Sequence, residues 1–158
     1  METIQDVLEE NIIPIKSNIH DCADTVGTQT LANGVRTLYT NDAVAYEYKS
    51  GTTDLWDSTT STVTDSILDS KIDIIVGGIM NAPSANTLLK VELEIDATTP
   101  IQVREKTFDI TRNNVDIADS FTFLVYNGAA ALADGFKIYL TASGGTVDIK
   151  NKTILVRV

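Results

Sequence analysis

A chain of 158 residues is one domain's worth of polymer and can bury roughly 68–70% of its unfolded surface, so its size alone demands no disulfide or metal staple. Its 43% apolar and 22% charged residues exclude wholesale disorder, no run nears ~18 apolar residues, and the acidic opening Met1-Glu2-Thr3 predicts no secretory signal and a chain kept inside the cell that makes it. The net charge of −10, from 12 basic and 22 acidic residues, repels a phosphate backbone, so neither nucleic acid nor a membrane is an expected partner.

Thr3-Ile4-Gln5-Asp6 reads as a capping box, after which Ile4, Val7, Leu8 and Ile12 recur at helical spacing until Pro14 forbids continuation beyond Ile13. A helix this short is marginal alone and needs a surface for its apolar stripe, whether the domain behind it, copies of itself or another protein. Residues 1–26 hold six acids and one base, so negative charge is concentrated here. From Gly27 onward the composition shifts towards Thr, Ser, Asn, Val and Tyr, the residues of strands and turns. The expected division is an N-terminal helix and extended arm over residues 1–27 and a β domain over residues 28–158.

Residues 28–31 and 35–39 flank Ala32-Asn33-Gly34, a hairpin signal, and Thr40-Asn41-Asp42 has the composition of the next turn. Residues 44–48 make a further short strand. Residues 50–62 are polar and turn-rich around Leu55-Trp56, which predicts a long loop pinned by one buried aromatic, Trp56. Residues 72–80 are nearly continuous in apolar side chains, predicting a central strand covered on both faces, with Gly77-Gly78 marking a bulge or a close backbone approach. Residues 87–96 alternate, with Leu89, Val91, Leu93 and Ile95 on a buried face and Lys90, Glu92, Glu94 and Asp96 on a wet one. Residues 101–110 alternate more weakly, and Val115-Asp116-Ile117 leads into the last third.

There, residues 121–125, 136–140, 147–149 and 153–158 are β-branched and aromatic runs separated only by Asn127-Gly128, Ala133-Asp134-Gly135 and Ser143-Gly144-Gly145. Eight to ten strands at spacings of roughly 8–14 residues imply an all-β fold. The architecture that fits best is an antiparallel jelly-roll-like β-sandwich with a short N-terminal α-helix. An immunoglobulin-like sandwich is the alternative, but Cys22 is the sole cysteine and cannot supply the Cys…Trp…Cys arrangement.

No catalytic signature accompanies the strands. His20 is the only histidine, two residues from Cys22 and without paired ligands elsewhere, so neither a metal site nor a cofactor is expected. No Gly-x-Ser-x-Gly elbow, Walker loop or Rossmann glycine fingerprint occurs. Asp54 and Asp57 bracket Leu55-Trp56 as an acid pair beside an aromatic, yet carboxylates in a Ser/Thr-rich loop ordinarily serve as turn acceptors. Asn113-Asn114-Val115-Asp116 and Asp119 supply oxygen atoms but match no calcium motif.

Three segments together resemble the jelly-roll virion structural proteins of tailed bacteriophages. They are Asn33-Gly34-Val35-Arg36-Thr37-Leu38-Tyr39-Thr40-Asn41-Asp42, Asp54-Leu55-Trp56-Asp57-Ser58-Thr59-Thr60, and the close from Gly135-Phe136-Lys137-Ile138-Tyr139-Leu140 to Val156-Arg157-Val158. The resemblance spans about residues 28–158 and rests on strand and turn pattern rather than on a catalytic motif. It implies a non-enzymatic homotrimer: a capsid decoration, head-fibre or tail-associated protein, located in the virion and made in the host bacterial cytoplasm. Its partners would be its own copies and the major capsid protein or another virion protein. The expected docking arm carries Ile4, Val7, Leu8, Ile12, Ile13, Ile15 and Ile19. The tyrosines Tyr39, Tyr46, Tyr48, Tyr126 and Tyr139 could serve core and subunit interface alike. The alternative is a carbohydrate-binding or host-receptor-binding module of a tail fibre, in which Asp54, Trp56 and Asp57 would meet a sugar ring.

Overall fold

The computed structural model describes residues 19–24, 27–41, 48–50, 54–84, 86–110 and 115–158, with backbone alone at 19, 20, 22, 24 and 48. Ile4, Val7, Leu8, Ile12, Ile13 and Ile15 with the expected N-terminal helix, Tyr46 with most of the strand expected over 44–48, and residues 111–114 lie outside the described residues. Among the described residues, twelve strands and one short helix follow in order: β1 (Ile19–Asp24), β2 (Gln29–Leu31), β3 (Arg36–Leu38), β4 (Tyr48–Ser50), β5 (Trp56–Asp57), β6 (Thr62–Val63), β7 (Lys71–Asn81), β8 (Thr87–Ile95), β9 (Ile101–Ile110), β10 (Ile117–Tyr126), α1 (Ala129–Asp134), β11 (Phe136–Ser143) and β12 (Val147–Arg157).

Two antiparallel sheets stack face to face. Sheet A runs β10-β7-β12-β1-β4, with β2 extending the line of β1 along β12, and sheet B runs β5-β6-β11-β8-β9, with β3 also on β11. Consecutive strands mostly alternate sheets: β7 passes to β8, β9 to β10, β10 to β11 and β11 to β12 across the sandwich, while β8 and β9 form a hairpin. That alternation, with the first strand beside the last, is the jelly roll.

The core is made by the inward halves of alternating strands. Ile72, Ile74, Val76 and Met80 of β7 face Leu89, Val91 and Leu93 of β8 and Ile138 and Leu140 of β11, all with 2% exposure or less. Phe108 of β9 meets Phe121 of β10 edge to face at 5.8 Å, which closes one side of the sandwich. The void left between the sheets, bounded by Tyr39, Met80, Leu89 and Phe121, is about 10 Å³ and apolar, too small for a ligand.

Several expected boundaries move. Ala32-Asn33-Gly34 does not close a hairpin, since β2 pairs with β12 and β3 with β11. The turn is a corner between sheets, held because Gly34 N–H donates to the Ala142 carbonyl at 2.7 Å and Asn33 Oδ1 accepts from Gly144 N–H at 3.1 Å. Ser143-Gly144-Gly145 is likewise a corner. Residues 19–24, which the expected division assigned to the arm, belong to the sandwich as β1, paired along β12 from Ile19 opposite Arg157 to Asp24 opposite Lys152. The long loop of residues 50–62 contains the β5–β6 hairpin, and Ala133-Asp134-Gly135 belongs largely to α1 rather than to a plain turn.

Residues 147–158 form one strand with a bulge instead of two strands. The register against β7 shifts between Lys150 and Thr153, and Asn151 takes φ +47°. Gly77 and Gly78 lie opposite this bulge. A Cβ at Gly77 would stand 2.8 Å from Thr153 Oγ1, and one at Gly78 2.9 Å from Ile149 Cγ2, so the close approach read from the sequence is real and its cause is the irregular partner strand. The Tyr39 hydroxyl donates to the Thr153 carbonyl at 2.9 Å and Asn41 Nδ2 donates to the Lys152 carbonyl at 3.1 Å. The segment Tyr39-Thr40-Asn41 is thus the clamp that satisfies carbonyls the bulge takes out of the ladder.

Candidate interaction surfaces

The loop singled out from sequence is built around its tryptophan. Leu55 and Trp56 are 0% and 3% exposed and belong to the core, so Trp56 pins the loop and offers no open ring face on which a sugar could stack. Asp57 stays outside as the organiser of the β5–β6 reversal. Its Oδ1 accepts from Thr59 N–H at 2.8 Å and its Oδ2 from the Thr60 hydroxyl at 2.8 Å. The Thr60 hydroxyl and then the Thr59 amide hold the Asp57 carboxyl below its ordinary value. Asp54 forms an ion pair with Lys49. Against this hairpin packs Gly135 at φ +75°, where a Cβ would lie 2.5 Å from Thr62 Cγ2 and 2.8 Å from the Val63 carbonyl oxygen, so no other residue fits between α1 and β11.

The outer face of sheet B departs from the wet face its alternation suggested. Glu92 and Glu94 are each 6% exposed, folded under a cationic cover. Arg36 Nη2 reaches Glu94 Oε2 at 2.6 Å and Arg36 Nε reaches Glu92 Oε2 at 3.4 Å. The guanidinium lies 3.6 Å from the Tyr139 ring centroid, and Lys90 Nζ holds Glu92 Oε1 at 3.1 Å. Charge, stacking and burial support one another, because a planar guanidinium can bond two carboxylates while covering a ring. Nearby, Lys137 Nζ meets Asp96 Oδ2 at 2.7 Å, and the hydrogen bond to Asp96 raises the Lys137 ammonium above its ordinary value.

Sheet A ends differently. On β10, Phe121, Phe123 and Val125 point inward, whereas Leu124 and Tyr126 are 67% and 65% exposed. Of Tyr39, Tyr126 and Tyr139, only Tyr126 is open to solvent. The neighbouring connection from β6 to β7 presents Ile67 and Leu68 outward. It is held there by Asn127, which is fully buried: its Nδ2 donates to the Asp65 and Ile67 carbonyls at 3.0 and 2.8 Å, its N–H donates to the Ser70 carbonyl and its own carbonyl accepts from Asp69 N–H. Asn127 is therefore a staple for the connection as well as a turn residue, a role its Asn-Gly context hid.

Leu132 of α1 is also exposed at this end. These exposed apolar side chains make this end a candidate contact surface. Among the described residues β10 is the edge of sheet A, and Lys106 of β9 extends its Nζ to the Thr122 carbonyl at 3.0 Å, where its charge opposes strand addition. Among the described residues, no group of three His, Cys, Asp or Glu side chains gathers to hold a metal ion, and no helix is long and apolar enough to cross a membrane. Ile19, the described member of the expected docking arm, sits in the ladder opposite Arg157 and Ser50.

No family model matches the sequence, and no curated protein matches it. Solved structures do. The PRD1 vertex protein P5 aligns over 90% of this chain and 96% of its own, with a TM-score of 0.55 at 12% identity. Eiger TNF from S. frugiperda aligns over 89% of this chain and 90% of its own, with a TM-score of 0.50 at 9% identity. At such identities the likeness is one of fold. Over about nine-tenths of this chain it shares the jelly-roll fold of a vertex protein and of a TNF.

Proposed function

We propose that this chain is a non-enzymatic structural protein of a bacteriophage virion: a homotrimer that decorates a capsid or forms part of a head fibre, docking through its N-terminal residues on the major capsid protein or another virion protein. The observation that carries this reading is the match of nearly the whole jelly roll to a vertex protein, which supports a virion structural role at the level of the fold. The sequence resemblance to tailed-phage jelly-roll proteins points the same way. The Ile4, Val7, Leu8, Ile12, Ile13 and Ile15 stripe supplies the docking residues. The chain would be made in the bacterial cytoplasm and end in the particle.

Gradient-purified particles from cells producing them test this reading. The chain is expected to band with the shell proteins, and a chain shortened to begin at Ile19 is expected to remain folded but fail to rebind stripped shells. A chain found only in the soluble fraction, apart from particles, would overturn it.

A further inference from the structure

Asn-Gly occurs twice in the chain, at Asn33-Gly34 and Asn127-Gly128, and the fold puts the two in opposite surroundings. An asparagine side chain can react with the amide nitrogen that follows it, and glycine in the next position leaves that nitrogen unhindered because it carries no Cβ. The reaction also needs an amide carbon drawn positive, a side-chain nitrogen free to depart and a backbone able to turn.

Asn33 and Gly34 are exposed at the corner where β2 of sheet A passes to β3 of sheet B. Asn33 Oδ1 accepts from Gly144 N–H at 3.1 Å, so a donor already stands where negative charge would collect on that oxygen. A Cβ on Gly34 would meet nothing within 4 Å, which leaves room for a ring to close. The brake is the Gly34 N–H, which donates to the Ala142 carbonyl at 2.7 Å and must be released first; at an exposed corner such opening costs little. Asn127 is fully buried. Its Nδ2, the group that would leave, is held by the Asp65 and Ile67 carbonyls, and its Oδ1 meets no donor among the described residues. Its own N–H and carbonyl are tied to Ser70 and Asp69, so its backbone cannot turn without lifting the β6–β7 connection.

We propose that Asn33 is a self-modification site of the folded chain, while burial keeps Asn127 intact. When the bond to Ala142 opens, the Gly34 nitrogen attacks Asn33 Cγ and the Cγ–Nδ2 bond breaks. The side-chain nitrogen leaves as ammonia, taking the Gly34 amide proton, and a five-membered imide remains. Water then cleaves one of the two imide C–N bonds. Cleavage at Cγ gives aspartate at position 33, whose carboxylate keeps the acceptor for Gly144 N–H. Cleavage at the main-chain carbonyl gives isoaspartate, which inserts a methylene into the backbone and draws the corner away from Ala142 and Gly144. Either product adds one negative charge to the corner between the sheets.

Incubation of the full chain at neutral pH in heavy-oxygen water, with and without guanidinium, tests this when followed by peptide mapping with mass spectrometry, because each imide that opens takes up one heavy oxygen. In the native chain position 33 should convert at least about tenfold faster than position 127, as expected of an exposed corner against a buried staple. In guanidinium the two should convert at similar rates. Asn33→Gln, which would have to close a larger ring, should abolish labelling at position 33 and leave position 127 unchanged. Equal native rates, a faster position 127, or a native chain unlabelled at position 33 over a period in which guanidinium labels both would overturn the proposal.

Discussion

The outer face of sheet B and the β10 end of sheet A meet the same problem, side chains that alternation directs away from the core, and solve it in opposite ways. On sheet B, Glu92 and Glu94 are folded under Arg36, Lys90 and Tyr139, so polar groups are satisfied within the domain and little surface is left for a partner. On sheet A, Leu124 and Tyr126 stand free beside Ile67 and Leu68, and nothing in the sandwich covers them. The first arrangement satisfies its polar groups within the sandwich; the second leaves apolar side chains exposed among the described residues. Residue polarity alone would have misled in both places, since the charged side chains are the covered ones and the apolar side chains the exposed ones.

Adjacent residues on β10 give the largest contrast. Phe123→Ala should cost about 3–5 kcal/mol of unfolding free energy through lost burial and a cavity, while Leu124→Ala should change it by no more than about 0.5 kcal/mol. Denaturant unfolding followed by Trp56 fluorescence measures both. Similar losses at the two positions would mean that the β10 register is not the one described.

Next in size is the cover over the sheet B carboxylates. Arg36→Ala leaves two largely buried carboxylates short of a partner and should cost about 2 kcal/mol, reduced from the fully buried case because Arg36 itself is partly exposed. Arg36→Lys should recover only part of this, since an ammonium cannot bond both carboxylates and stack on Tyr139 together. Lys71→Ala, on the open end, should leave the melting curve nearly unchanged. If Arg36 and Lys71 prove equivalent, the distinction between closed and open faces fails.

Asn127→Ala removes two donors to the 65–67 carbonyls and should cost about 1–2 kcal/mol. Limited proteolysis should then cut within residues 66–69 well before the sandwich unfolds. The smallest effect belongs to the β5–β6 reversal, where Asp57→Ala should cost about 1 kcal/mol or less. Because the folded Asp57 carboxyl titrates below its unfolded value of about 3.9, its contribution is present above that value. It is lost as the pH falls through the lower folded value. An acid titration of unaltered and Asp57→Ala chains should therefore show their stabilities converging only in strongly acidic solution.

Much of the fold was legible because strands announce themselves by alternation. Leu89, Val91 and Leu93 were on the right face of β8, and Gly77-Gly78 correctly signalled a close approach. What alternation could not convey is which sheet each strand joins. Ala32-Asn33-Gly34 and Ser143-Gly144-Gly145 have the composition of hairpin turns and act as corners between sheets, because corner and hairpin both need a residue that tolerates φ > 0. Nor could it convey that Glu92 and Glu94 are covered, since their cover comes from Arg36 and Tyr139, distant in sequence. In the candidate surfaces, Trp56 was recognisable as a pin and Asp57 as a turn acceptor. Tyr126 was among the tyrosines open to either core or interface, whereas Leu124 was hidden inside an apolar run, where only the register against β7 separates it from Phe123 and Val125.

The measurement that bears most directly on the proposed virion role is the solution mass of the full chain by light scattering across a wide concentration range. Three copies per particle, still present in a chain beginning at Ile19, is the result expected of a jelly roll that assembles through its sandwich and leaves its N-terminal residues for docking. A single copy at every concentration in both chains would contradict it.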